Sequence, residues 1–135
     1  MKLDSKLVEA AKTFVQSRFP KEEWAGAAAM YTEDGQILIS TAPETVNSSV
    51  ELCHETGAIC EAHKLNKRIT ASVCVSRDEK GLFQILTPCG VCQERLLFWG
   101  HNVEAAVPTD SDSTIWQMKT LKELQPYYWR NPFLK

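Results

Sequence analysis

Two short stretches hold the side chains best able to do chemistry, Cys53-His54-Glu55 and Pro88-Cys89-Gly90-Val91-Cys92. A catalytic zinc site commonly takes three protein ligands and keeps its fourth tetrahedral position for water. Cys53, Cys89 and Cys92 supply three thiolates for such a site. Glu55 lies two residues from the first of them, placed as a proton carrier beside the metal and not as a ligand. Taken alone, the Cys-x-x-Cys pair also reads as a structural zinc half-site or a redox pair. The Cys-x-Glu upstream and Pro88 before the pair turn the reading toward catalysis.

This division of labour, a His or Cys, any residue, Glu, and later Pro-Cys-x-x-Cys, is the pattern of zinc nucleobase deaminases. The chain thereby resembles the cytidine deaminase superfamily, including its blasticidin-S deaminase branch. The resemblance implies one Zn2+ per chain on Cys53, Cys89 and Cys92, with Glu55 shuttling protons between water, ring nitrogen and leaving ammonia. It also implies that Trp24-Ala25-Gly26-Ala27-Ala28 matches the family's Phe-Pro-Val-Gly-Ala strand, so that Trp24 flanks the base. Nine residues before the first zinc cysteine the family has a Glu that holds the ribose, here Glu44; eleven before it has an Asn, here Ala42. The ribose-binding pair is therefore half present.

Near the C-terminus Leu124-Gln125-Pro126-Tyr127-Tyr128-Trp129 resembles the family's Leu-Leu-Pro-x-x-Phe, which implies that Trp129 helps close an active site. Trp24 and Trp129 also read as ordinary core aromatics. Three thiolates on a divalent ion leave net negative charge, and many relatives answer it with an Arg directly after the catalytic Glu. That position is Thr56 here, and Arg95 is one candidate replacement. The family's Arg-Gln after its last zinc cysteine is Gln93-Glu94.

The function implied is hydrolytic deamination of a cytosine-type nucleoside or a close analogue such as blasticidin S. Editing of a base in RNA or DNA is a second reading. A zinc-stabilised module that binds a nucleoside without turnover is a third. The family also implies a homo-oligomer, tetramer or dimer, for which Phe98, Trp99, Tyr127, Tyr128 and Trp129 offer apolar material.

The remaining titratable residues take blander roles. His54 lies between two assigned residues and points away from them; His63 and His101 suit the surface or a cap. Glu61 and Glu94 read as solvated or structurally paired. Cys60 and Cys74 stand in apolar surroundings and read as core packing.

The whole chain fits that picture. Its 135 residues, 44% hydrophobic and 24% charged, suit one domain over 1–135 with a proper core. No apolar run approaches the roughly 20 residues a bilayer span needs, and the first residues lead into an amphipathic pattern instead of a signal peptide. A cytoplasmic address follows, with no membrane partner. A net charge of -2 argues against a broad phosphate-binding surface, so the expected partner is a small molecule and not a nucleic acid.

The elements that must position these residues follow from periodicity. Leu7, Ala11, Phe14 and Val15 recur at helical spacing over residues 4–18, with Asp4 or Ser5 as a cap. Strands are expected at 24–31 and 37–39 around a Glu33-Asp34-Gly35-Gln36 turn, and a helix at 50–65 carries Cys53 and Glu55 at its start. Side chains at i and i+2 diverge by roughly 200° inside a helix, so these two can converge only where the chain enters it. Strands at 69–76 and 82–86 come next, followed by a helix opened by Pro88 and running to about Trp99. A fifth strand at 103–107 then leads into an aromatic C-terminal region. The fold class expected is α/β, a three-layer α-β-α sandwich with a mixed five-stranded sheet.

Overall fold

The computed structural model describes residues 2–134, with side chains from Ser5 onward. Helix α1 (Lys2–Arg18) is followed by strands β1 (Ala25–Thr32) and β2 (Ile37–Ser40), helix α2 (Thr56–Lys64), and strands β3 (Ile69–Arg77) and β4 (Phe83–Ile85). Helix α3 (Gly90–Leu96), strands β5 (Glu104–Pro108) and β6 (Trp116–Thr120) and the short helix α4 (Leu121–Leu124) complete the chain. The sheet runs β2-β1-β3-β5-β6, with β4 on the same central strand β3. Only β3 and β5 pair in parallel, across the crossover that contains α3; every other pair is antiparallel.

Strand β1 shows why this is a three-layer structure. Its small residues are buried on both faces, so helices can approach from either side. Ala27, Ala29 and Tyr31 meet Leu7, Val8, Ala11 and Val15 of α1, together with Val73 and Val75 of β3. Ala28 and Met30 face the other way, toward Ala58 and Ala62 of α2 and Leu96 of α3. Each fully buried Leu or Val on α1 contributes roughly 1.5–3 kcal/mol through the apolar surface it removes from water. The hairpin at 33–36 forms as expected, with Gly35 at φ +84°, a conformation that an L side chain rarely adopts.

Five details differ from expectation within the expected α/β fold class. The sheet has six strands, not five, because Trp116-Gln117-Met118-Lys119-Thr120 pairs with β5, with Trp116 and Met118 packed on the α1-side core. The helix expected over 50–65 begins only at Thr56. Asn47 accepts hydrogen bonds at its side chain from the Ser49 amide (3.1 Å) and the Ser49 hydroxyl (2.6 Å), which holds residues 48–50 in a 3-10 turn, and Glu51 then goes extended. Such local side-chain bonds compete with the helical ladder. Pro88 does not open α3; Cys89 is its N-cap, and after Leu96 the chain tightens into a 3-10 turn over Leu97–Trp99. Cys60 is exposed and not core. At the N-terminus, α1 starts at Lys2, so Ser5 lies inside the helix, while the Asp4 side chain lies outside the described residues.

Arg77, at the end of β3, is buried and donates from Nη2 to the carbonyls of Pro20 (2.6 Å) and Glu23 (3.0 Å). It thereby ties the turn after α1 to the sheet immediately before Trp24. Among the described residues, no helix is long and apolar enough to cross a membrane.

Candidate metal centre and active site

The two cysteine stretches meet on the α2/α3 side of the sheet. Cys53 sits in a turn closed by the Thr56 amide donating to the Cys53 carbonyl (3.1 Å), so the chain enters α2 with Glu55 as its N-cap residue. This is the entry geometry that lets positions i and i+2 share one site. Cys89 is extended (φ -65°, ψ 167°) at the head of α3, and Cys92 lies fully buried in the first turn. The Gln93 side chain donates to the Pro88 carbonyl (2.7 Å) and fixes the approach to that turn.

The three sulfurs lie within 4.8 Å of one another, and Cys53 Sγ is 3.4 Å from Cys89 Sγ. With Zn–S bonds of about 2.3 Å, tetrahedral ligands stand about 3.8 Å apart, so this donor set fits zinc. No other group of three possible ligands comes together among the described residues.

The electrostatics of the cluster differ from sulfur to sulfur. Burial pushes the Cys53 thiol up, and contact with Cys89 adds to it. Burial and the nearby Glu55 carboxylate push Cys92 up further. Burial also acts on Cys89, but there the backbone N–H groups of Cys92 and Val91 and the side-chain contact with Cys53 outweigh it, and the thiol is pulled below its ordinary value. The amides at the head of α3 therefore favour one thiolate, and a divalent cation is the natural counterion for all three.

Glu55 is 4% exposed, and burial holds its carboxyl above the ordinary glutamate range, opposed by its own amide and by Cys92, Arg95 and Cys74. A buried carboxyl of raised pKa beside a metal site suits proton transfer. Cys74 is buried, as its core-packing reading expects, but its nearness to Glu55 is not legible in the sequence. It points from β3 toward this side of the sheet, where burial, with the nearby Glu55 carboxylate adding to it, drives its thiol well up. Strand alternation alone places it there, opposite in direction to Val73 and Val75.

Arg95 is an exposed residue, yet its guanidinium is held: Nη1 donates to Thr56 Oγ1 at 3.0 Å. Its charge thus stands beside the residue that follows Glu55. Glu94 is structurally paired, accepting from Tyr128 Oη and from Trp129 Nε1 (3.1 Å). His63 and His101 make edge-on ring contacts with Phe98 and Tyr128.

Beside the segment that carries Cys53 and Glu55 opens a cleft of about 690 Å3. Trp24, Ala42 and Glu44 all line it, together with Gly26, Leu52 and His54. Trp24 is 61% exposed on the rim and not a core aromatic. Trp129, also largely exposed, is not among the lining residues; within one chain it is held by Glu94 on the far side of α3. His54 lies in the wall, outside the group of three sulfurs. Its Nδ1 accepts from the Ala42 amide (3.1 Å), Ser40 Oγ donates to its carbonyl (2.5 Å), and burial lowers its pKa. Gly26 exists as glycine because a Cβ there would stand 2.7 Å from His54 Nε2 and 2.8 Å from the Val75 carbonyl.

A crystal structure of the cytidine deaminase from Bacillus anthracis matches this architecture with a TM-score of 0.88 and 45% sequence identity, covering 97% of this chain and 92% of that one. The chain belongs to the cytidine deaminase family. Two more distant structures share the fold. A mutant cytidine deaminase from Mycobacterium tuberculosis is 23% identical at TM-score 0.72, covering 96% of this chain and 97% of that one. The cytidine deaminase from Burkholderia pseudomallei is 21% identical at TM-score 0.70, covering 93% of this chain and 98% of that one. Neither a protein-family model nor a curated protein sequence matches the chain. Membership places the protein among the deaminases, within the hydrolases.

Proposed function

We propose that this deaminase is zinc-dependent and removes the exocyclic amine of a cytosine-type nucleoside or close analogue as ammonia. One observation carries the reading: three sulfurs within 4.8 Å of one another with a buried carboxyl beside them, on a segment whose neighbours Leu52 and His54 line an open cleft. Cys53, Cys89 and Cys92 would hold the ion, which when bound supplies Lewis-acid activation of a water. Glu55 takes a proton from that water and delivers it to the ring nitrogen, and its raised pKa suits both halves of the transfer. Glu55 then takes the proton of the hydroxyl added to the ring carbon and passes it to the departing amine, so that a carbonyl replaces the C–NH2 group and ammonia leaves. Trp24 presents a ring face for stacking the base, and Glu44 offers a carboxylate to sugar hydroxyls.

A second substrate reading, an aminonucleoside antibiotic of the blasticidin-S type, is favoured by the charge of the cleft. Glu23, Glu44 and Glu51 line it, with no lysine or arginine among the lining residues. The same charge disfavours a phosphate-bearing polymer as substrate. Ammonia release from cytosine, cytidine, deoxycytidine, isocytosine and blasticidin S tests both readings. Release from none of them by zinc-loaded protein would instead support a nucleoside-binding module without turnover.

The proposal extends to a homo-oligomer, dimer or tetramer. Tyr127 at 95% exposure, Phe98 and Phe133 leave a strongly apolar surface near the C-terminus. Light scattering across a dilution series reads its size. A cytoplasmic address belongs to the same proposal, since five free cysteines suit a reducing compartment.

A further inference from the structure

The cleft contains one ring that the proton chemistry leaves idle. His54 holds one wall of the cleft, with Nδ1 on the Ala42 amide at 3.1 Å and beside Thr41 Oγ1 at 3.3 Å. The Thr41 hydroxyl donates to the Gly26 carbonyl at 2.7 Å, and a backbone N–H can only donate, so Nδ1 acts as the acceptor. In the neutral ring the proton then resides on Nε2. Nε2 lies against the Gly26 end of β1, and among the described residues no acceptor takes its hydrogen. His54 is half-buried and lines the cleft, as does the Gly26 against which Nε2 lies.

The position within the cleft narrows the ligand group. The amine under attack must reach the sulfurs and Glu55, while His54, Ala42 and Glu44 stand on the wall formed by the 41–44 loop. The sugar of a nucleoside is what remains to contact that wall. A hydroxyl both donates and accepts, and the wall offers it a carboxylate acceptor in Glu44 and one committed N–H donor in His54. Resting on the nucleoside deaminase reading above, we infer that His54 is a substrate-binding residue: its Nδ1 pins the 41–44 loop and its Nε2–H donates to a sugar hydroxyl.

The two ring nitrogens can be tested separately with the zinc-loaded full chain. Asparagine places an acceptor where Nδ1 stands but nothing at Nε2; glutamine places an N–H near Nε2. His54→Asn is expected to lower kcat/KM for cytidine about 10-fold, mainly through KM, with zinc content and Tm unchanged, the size of one lost hydrogen bond. His54→Gln should recover most of that loss. The His54→Asn penalty should disappear on whichever of 2′-deoxycytidine and 3′-deoxycytidine lacks the partner hydroxyl. Wild-type kcat/KM in His54→Asn would overturn the inference while leaving the deaminase reading intact. So would a penalty that persists unchanged on both deoxynucleosides, or one that appears only with lost zinc. Failure of the wild-type protein to release ammonia from any cytosine nucleoside would remove the underlying reading, and the inference with it.

Discussion

The two ends of the active site are built in opposite ways. At the metal end, Cys92 and Glu55 are buried, Cys53 and Cys89 stand at the entries to two helices, and Cys74 supports the carboxyl from the central strand. At the substrate end, Trp24 and Glu44 are exposed, and their positions depend on loops held by Arg77 and His54. The difference separates reaction from specificity. Backbone geometry and burial fix the groups proposed to do chemistry, whereas a few side-chain bonds to carbonyls and amides set the groups proposed to choose the substrate. Variants at the metal end should therefore abolish turnover, and variants at the substrate end should shift KM.

The largest loss is expected for Cys92→Ser, which removes a buried ligand. Zinc content by elemental analysis should fall and deamination drop on the order of 1000-fold or more, since water activation goes with the ion. Arg77→Met comes next. It strips two carbonyls of a buried charged donor and should lower stability by roughly 1.5–3 kcal/mol in urea unfolding, while KM rises because the turn before Trp24 loosens. Trp24→Ala should raise KM by about 10-fold, in line with roughly 1–3 kcal/mol for stacking one base, with kcat and zinc unchanged. Arg95→Gln is the mildest, an exposed pair with Thr56 whose loss should cost about 0.5–1 kcal/mol or less and slightly weaken zinc retention against a chelator titration. If Trp24→Ala lost zinc, or Cys92→Ser kept it, the division between the two ends would fail.

The same division governs what could be read from the sequence. The meeting of Cys53, Cys89 and Cys92, with Glu55 beside them, was legible because it depends on short spacings next to helix starts, and those spacings survive in one dimension. Helix α1 was legible because one apolar face repeats at 3.6 residues, and the β1–β2 turn because Gly35 tolerates a positive φ. The start of α2 was not, since Asn47 and Ser49 close a local turn that periodicity does not register. Strand β6 has only Trp116 and Met118 on its packed face, too short an alternation to stand out beside aromatic neighbours. The exposure of Cys60 and the contact of Cys74 with Glu55 are tertiary facts with no local signature. The bond of His54 to the Ala42 amide, twelve residues away, appears only once the loop has folded over it.

The central claim is that a carboxyl beside a three-sulfur zinc site performs the proton transfers of deamination. Glu55→Ala, assayed together for bound zinc and for ammonia release from the preferred cytosine nucleoside, tests it most directly. One zinc per chain retained with activity lowered on the order of 100- to 10,000-fold is the predicted result. Deamination retained at the wild-type rate by Glu55→Ala would contradict it.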